Sequence, residues 1–401
     1  MRTLSSLPAA VRQYLVVTAN YWAFTLTDGA LRMLVVLHFY QLGYSPLEIA
    51  LLFLFYEIFG VVTNLVGGWL GARAGLNRTM NIGLFLQIVA LGMLLVPASM
   101  LTVAWVMTAQ ALSGIAKDLN KMSAKSAIKL LVPAEAHGTL FHWVALLTGS
   151  KNALKGAGFF LGGVLLAWLG FQGAVGAMAG ALLLIWCLSL MLLRDDLGRS
   201  SAKPRFRDVF SKSRAVNVLS AARLCLFAAR DVWFVVALPV YLSQALDWSS
   251  SQTGGFMASW IIAYGLVQGL TPRFIHQDQS RPVSGRAAVG WAVALTLIPA
   301  LIAFGLTQDW PDGPVLIGGL LIFGVLFAVN SSLHSYLIVS YADRENVSMD
   351  VGFYYMSNAM GRLLGTVLSG WVFQAYGLGA CLLISSVLLL LASLISVALP
   401  R

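Results

Sequence analysis

Gly68-Trp69-Leu70-Gly71-Ala72-Arg73-Ala74-Gly75-Leu76-Asn77-Arg78 joins two long apolar runs, at about 46–70 and 79–99. The joint is too short to hold a domain, and it carries two arginines and three glycines. Glycine permits a tight turn and close approach of helices. Arginine marks a connector that stays on the cytoplasmic side of a membrane. The stretch therefore reads as the basic turn of a hairpin of membrane helices.

The rest of the chain extends that reading. Its 401 residues are 59% hydrophobic and only 10% charged, where a soluble protein is about 25% charged. Mean hydropathy is +0.80. These values exclude a disordered chain, a disulfide scaffold and a conventional soluble enzyme. A membrane helix takes about 20 apolar residues and a connector, so about 33 residues per unit leaves room for about 12 spans. Spans 1 to 6 are expected at about 14–40, 46–70, 79–99, 102–125, 139–168 and 174–193. Spans 7 to 12 are expected at about 216–244, 253–272, 287–306, 314–341, 351–374 and 379–399. The runs are too long, and alternate too little, for barrel strands. The expected fold class is an all-α membrane protein with 12 transmembrane helices.

Charge placement sets the topology. Of the 26 Lys and Arg, 16 fall in the termini and in connectors after even-numbered spans, and none in connectors after odd-numbered spans. This asymmetry puts both termini in the cytoplasm. The connector 194–214 holds seven Lys and Arg and divides the chain into a six-helix bundle at 1–193 and another at 215–401. Its charge reads as anchoring against anionic lipid, not as a nucleic-acid site. Cys187, Cys225 and Cys381 stand apart in apolar runs, so neither a metal nor any other cofactor is expected.

The halves repeat weakly. A shift of 207 residues lays Lys151 on Asn358, Lys155 on Arg362, Gly158 on Gly365 and Gly170 on Gly377; a shift of 203 lays Asp28 on Asp231. Repeated halves describe a transporter with its substrate site at the midplane. The opening stretch resembles the loop pattern G-x-x-x-[DE]-[RK]-x-G-x-[RK]-[RK] of the major facilitator superfamily. Gly68, Arg73, Gly75 and Arg78 match, while Ala72 stands for the acid and Asn77 for one base. The resemblance implies a gating loop at these residues, without the family's usual charge relay.

Buried charge points to the substrate. Arg32, Lys117, Lys121, Lys151, Lys155, Arg223, Arg230 and Arg362 lie well inside spans. Facing lipid, they would cost roughly 20–28 kcal/mol together, more than the roughly 5–15 kcal/mol that holds a fold. They must face water or find partners. Asp28 with Arg32, Lys117 with Lys121, Lys151 with Lys155, and Asn358 with Arg362 are spaced i, i+4, so each pair shares a helix face. The intramembrane acids Asp28, Glu57, Asp118 and Asp231 are outnumbered, which suits a polyanion gripped by guanidinium and ammonium groups. Arg32 of span 1 and Arg230 of span 7 are expected to clamp its anionic ends. Glu57 lacks a cation within one turn of its own helix and is the expected proton carrier. Blander readings stand beside these. Asp28–Arg32 closes as an intrahelical pair, Lys125 and Lys129 anchor a span end, and Arg223 snorkels to the cytoplasm. His334 is a core histidine, and Tyr354–Tyr355 is packing. Adjacent residues point about 100° apart, so Arg230 and Asp231 should pair poorly.

The stretches Asn20–Phe39, Ser113–Pro133, Leu147–Gly156 and Ala228–Val240 resemble the ArsJ-type organoarsenical efflux permeases of the same superfamily. That resemblance implies a bacterial inner-membrane monomer exporting 1-arseno-3-phosphoglycerate. A partner glyceraldehyde-3-phosphate dehydrogenase makes this ester from arsenate, and no stable complex with it is implied. An ordinary organophosphate or sugar-phosphate exchanger is the alternative, and a membrane-embedded enzyme or sensor the third reading.

Overall fold

A computed structural model describes residues 9–43, 52–133, 136–193, 197–199, 213–248, 250–275, 283–308 and 310–400. Most of the basic connector 194–214 lies outside the described residues, as does the predicted start of span 2 at 46–51. Within the described residues the chain is helical between short connectors and contains no strand.

Span 1 is Ala9–Gln41, span 2 Leu54–Ala74, span 3 Leu76–Met93 and span 4 Val103–Leu131. Spans 5 and 6 form one element, His137–Leu192, broken at Gly170; spans 11 and 12 form Val347–Ser396, broken at Gly377. Span 7 is Arg214–Phe234 continued by Ala237–Ala245. Spans 8, 9 and 10 are Ser250–Ile275, Gly285–Gly305 and Asp312–Tyr341. The described helices thus supply all 12 expected spans. Span 4 begins where Thr102 accepts the backbone N–H of Trp105 at 3.3 Å, and span 7 where Ser213 caps Val216. Each cap satisfies a donor that has no partner within the helix.

The two breaks fall at positions that the repeat pairs. Gly170 has φ 66° and ψ −179°, and Gly377 has φ 76° and ψ −175°. A side chain is strained in that region and glycine is not, so each half turns from its fifth to its sixth span at the same residue.

The chain packs as two compact units. Unit 1 comprises Met1–Ala136, Ser150–Phe210 and Ala342–Met356; unit 2 comprises His137–Gly149, Ser211–Tyr341 and Ser357–Arg401. Each half of the sequence therefore lends a segment to the other's unit. In unit 1, a Cβ on Gly68 of span 2 would lie 2.6 Å from the Ser348 carbonyl oxygen and 3.1 Å from Gly352 Cα. Only glycine lets these helices approach so closely.

The exterior is apolar, unlike that of a soluble protein. Trp168, Tyr376, Val397 and Leu184 are among the most exposed large apolar side chains, at 82%, 72%, 68% and 62%. The interior holds polar groups as well as an apolar core. In unit 1, Asn20 donates to Ser189 at 2.8 Å, and Ser189 donates to Asn81 at 2.7 Å. Unit 2 keeps an aromatic core, with Trp233 edge-on to Phe323 at 5.0 Å and Trp260 donating to the Leu320 carbonyl at 2.9 Å. An apolar exterior is stable only in lipid.

Candidate functional site: two cationic clusters

Unit 1 gathers charge from spans 1, 2 and 4, beside the Tyr355 ring. The buried Asp28 carboxylate accepts the Tyr56 hydroxyl at 2.8 and 3.0 Å. Arg32, one turn on, reaches Glu57 of span 2 at 3.3 Å rather than Asp28. Its guanidinium also lies 5.0 Å from the Phe53 ring centre and 5.2 Å from that of Tyr56. The intrahelical Asp28–Arg32 pair is thus replaced by contacts across helices. The reason for choosing Glu57 as proton carrier falls with it: the cation missing from its own helix comes from span 1.

Span 4 supplies the lysines. Asp118 is 2% exposed; Lys121 reaches its Oδ1 at 2.6 Å and Lys117 its Oδ2 at 3.8 Å. The Lys117 ammonium sits 3.8 Å from the centre of the Tyr56 ring. Lys121 and Lys125 both lie over Tyr355, at 4.7 and 5.8 Å. Lys125 is only 2% exposed, so it is no membrane anchor. The helix runs on to Leu131 and carries Lys125 a turn and a half inside its end. Tyr355 packs edge-on to Tyr354 at 5.0 Å as expected, but it also carries two cations. Lys151 and Lys155 are half-buried on span 5. That span lies close to span 1, where a Cβ on Gly158 would meet the Leu26 carbonyl oxygen at 2.7 Å.

Unit 2 builds its cluster from spans 7, 10 and 11. Asp231 is 1% exposed and takes two cations. Arg230 binds its Oδ1 through Nε at 2.6 Å and through a terminal nitrogen at 2.5 Å. Arg362 reaches Oδ2 at 3.4 Å. Adjacent residues do pair here, because the arginine side chain is long enough to fold back across the 100° between them. Arg223 does not snorkel. It is 3% exposed, donates to Asn358 at 2.9 Å and to the Ser331 hydroxyl at 3.1 Å, and stacks 4.0 Å from the Phe227 ring centre. Arg230 shares that ring at 4.8 Å. His334 is buried as expected, though its Nδ1 has no hydrogen-bond partner among the described residues.

The repeat is visible in the packing of each unit. Gly365 approaches the Ala228 carbonyl oxygen of span 7, with 2.7 Å from a built Cβ, as Gly158 approaches Leu26 of span 1. Asp28 and Asp231 stand at matched positions but hold different partners, a tyrosine hydroxyl and two guanidiniums.

The gating stretch takes the turn its glycines suggest. Gly75 ends span 2 with φ 93°. Arg73 and Arg78 are exposed, and the Arg73 guanidinium lies 5.3 Å from the Trp69 ring. Ala72, which stands where the family pattern has an acid, is fully buried against Met349 in an apolar patch that includes Leu65 and Trp69. An apolar contact occupies the place of the charge relay.

Tyr56, Phe227 and the burial of Lys125 and Arg223 are what sequence reading missed. A signal for Phe227 was present, since it lies four residues after Arg223 and three before Arg230 on one helix face. None existed for Tyr56, whose cations come from other spans.

Comparison with known proteins agrees with this architecture. The Major Facilitator Superfamily profile matches residues 14–233 and 219–401. The human organic anion transporter MFSD10 (TETRAN) superposes with a TM-score of 0.76 at 20% identity, covering 97% of this chain and 100% of that one. The Escherichia coli fucose:proton symporter FucP gives 0.75 at 11% identity, covering 97% and 98%. A bacterial homologue of the iron transporter ferroportin, in its outward-facing state, gives 0.71 at 15% identity, covering 98% and 99%. At these identities the likeness establishes the fold and nothing finer. No curated protein sequence matches the chain.

Proposed function

The chain belongs to the Major Facilitator Superfamily and is a multi-pass membrane transporter rather than an enzyme, and from that premise we propose that it exports 1-arseno-3-phosphoglycerate by alternating access, giving resistance to arsenate. One observation carries the reading: cations outnumber acids deep within the spans. The two clusters hold Arg32, Lys117, Lys121, Lys125, Arg223, Arg230 and Arg362 against only four acids, Asp28, Glu57, Asp118 and Asp231. An excess of buried positive charge is stable when a polyanion completes it. Pentavalent arsenate and phosphate present hard oxygens, which guanidinium and ammonium groups bind and thiolates do not. Lys151, Lys155 and Asn358 belong to the same substrate-binding set.

The working location is the bacterial cytoplasmic membrane, with both termini inside and the chain acting as a monomer. A glyceraldehyde-3-phosphate dehydrogenase supplies the ester without binding the transporter stably. The cationic clusters equally suit an ordinary organophosphate taken up or exchanged for phosphate, and one experiment separates the two readings. The transporter is expressed in arsenate-sensitive cells with and without the ester-forming dehydrogenase. The proposal expects protection against arsenate only when both are present. Protection by the transporter alone, or equal protection against arsenite, refutes it. Phosphate-ester uptake without any resistance selects the organophosphate reading.

A further inference from the structure

Three aromatic rings in the two clusters are each shared by two cations. Tyr56 lies 3.8 Å from Lys117 and 5.2 Å from Arg32. Tyr355 lies 4.7 Å from Lys121 and 5.8 Å from Lys125. Phe227 lies 4.0 Å from Arg223 and 4.8 Å from Arg230. All three rings are buried, at 2%, 4% and 7% exposure. Six cations are thus held in pairs by ring faces, on elements from both halves of the sequence.

A ring face stabilises a desolvated cation through its quadrupole and leaves the charge in place. A carboxylate stabilises it more strongly, but neutralises it and occupies its N–H donors. Arg32, Lys117, Lys121 and Arg230 have both kinds of partner, and the ring keeps such a cation stabilised when it turns from its acid toward an incoming anion. The ring also lets two like charges approach a common centre that a single monoanion satisfies poorly. We propose that Tyr56, Tyr355 and Phe227 are positioning residues that hold paired cations for a multiply charged tetrahedral oxyanion, a phosphate or arsenate ester, and so select it over monoanionic carboxylates. This rests on the anionic-substrate reading above. Removing a ring leaves its cations to fall back on the nearby acids, Arg230 on Asp231 and Arg32 on Glu57, with which they are already in contact. Tyr56 has a second role through its hydroxyl on Asp28, and Tyr56→Phe separates the two.

The test measures binding of 3-phosphoglycerate, inorganic phosphate and lactate to the purified full-length protein, with thermal melting of every variant. Phe227→Leu, Phe227→Met, Tyr56→Leu and Tyr56→Met remove a ring, while Phe227→Tyr and Tyr56→Phe keep it. The expected result is about tenfold weaker binding of 3-phosphoglycerate when a ring is lost, equivalent to about 1.4 kcal/mol. Ring-keeping variants should bind within about twofold of the parent, and lactate should bind weakly throughout. Ring-free variants that bind as well as the parent, or ring-keeping variants that lose as much as ring-free ones, overturn the assignment alone. Loss of the melting transition in both the leucine and methionine variants overturns it too, since the rings are then needed only for folding. A parent protein that binds neither phosphate nor its ester overturns the substrate reading and this inference with it.

Discussion

Replacing Asp231 by asparagine keeps the side chain's shape and removes the charge that two arginines share. Arg230 contacts one carboxylate oxygen at 2.5 and 2.6 Å, and Arg362 the other at 3.4 Å. At an effective dielectric of about 20, unit charges about 3 Å apart attract by roughly 5–6 kcal/mol. Most of that offsets the desolvation of the charges, and the measured cost of removing one partner of a buried pair is about 3–5 kcal/mol. Two features place Asp231→Asn near the lower bound. The Arg362 side chain is 32% exposed and is screened by water. Arg230 keeps the ring faces of Phe227 and Phe327, at 4.8 and 5.5 Å. The expected loss is about 3 kcal/mol, read as a fall of several degrees in the melting temperature of the purified protein. The double variant Asp231→Asn/Arg362→Gln should recover part of it, because one stranded cation is gone. An Asp231→Asn protein that melts with the parent would show that the two guanidiniums do not depend on this carboxylate. A double variant that melts below the single one would refute the stranded-charge account.

Two further outcomes follow from the geometry. In Gly352→Val, the new Cβ would stand 2.6 Å from the Asn64 carbonyl oxygen and 2.9 Å from Gly68 Cα. Both are backbone atoms, so a helix must shift, at about 1–3 kcal/mol. Transport in vesicles should fall sharply in this variant, while Gly290→Ala, whose Cβ meets nothing within 4 Å, should transport and melt like the parent. Glu57→Gln removes the 3.3 Å partner of Arg32. It should leave the response of transport to an imposed pH gradient unchanged; loss of that response would return Glu57 to the role of proton carrier.

Apolar runs, together with the Gly, Pro and charge clusters that bound them, marked the 12 spans, because lipid demands a long apolar run for a crossing whatever packs beside it. The repeat was legible for the same reason: Gly170 and Gly377 must each adopt a positive φ at one topological point, and only glycine does so without strain. The presence of buried charge was equally plain, since a lysine in the middle of an apolar run is visible in the string. Its partners were not. Along one helix, sequence spacing suggested Asp28 for Arg32 and left Glu57 alone, whereas the neighbour that decides is on another span, and Arg32 meets Glu57 while Tyr56 meets Asp28. Lys125 and Arg223 looked like end anchors by position, yet tertiary packing closes over both and gives each an aromatic face. Composition and periodicity fix where a chain crosses the membrane because those are one-dimensional properties of a helix in lipid. Which cation rests on which ring or acid is decided only when helices distant in sequence pack together, since a side chain reaches several ångströms across an interface that spacing along one helix does not describe.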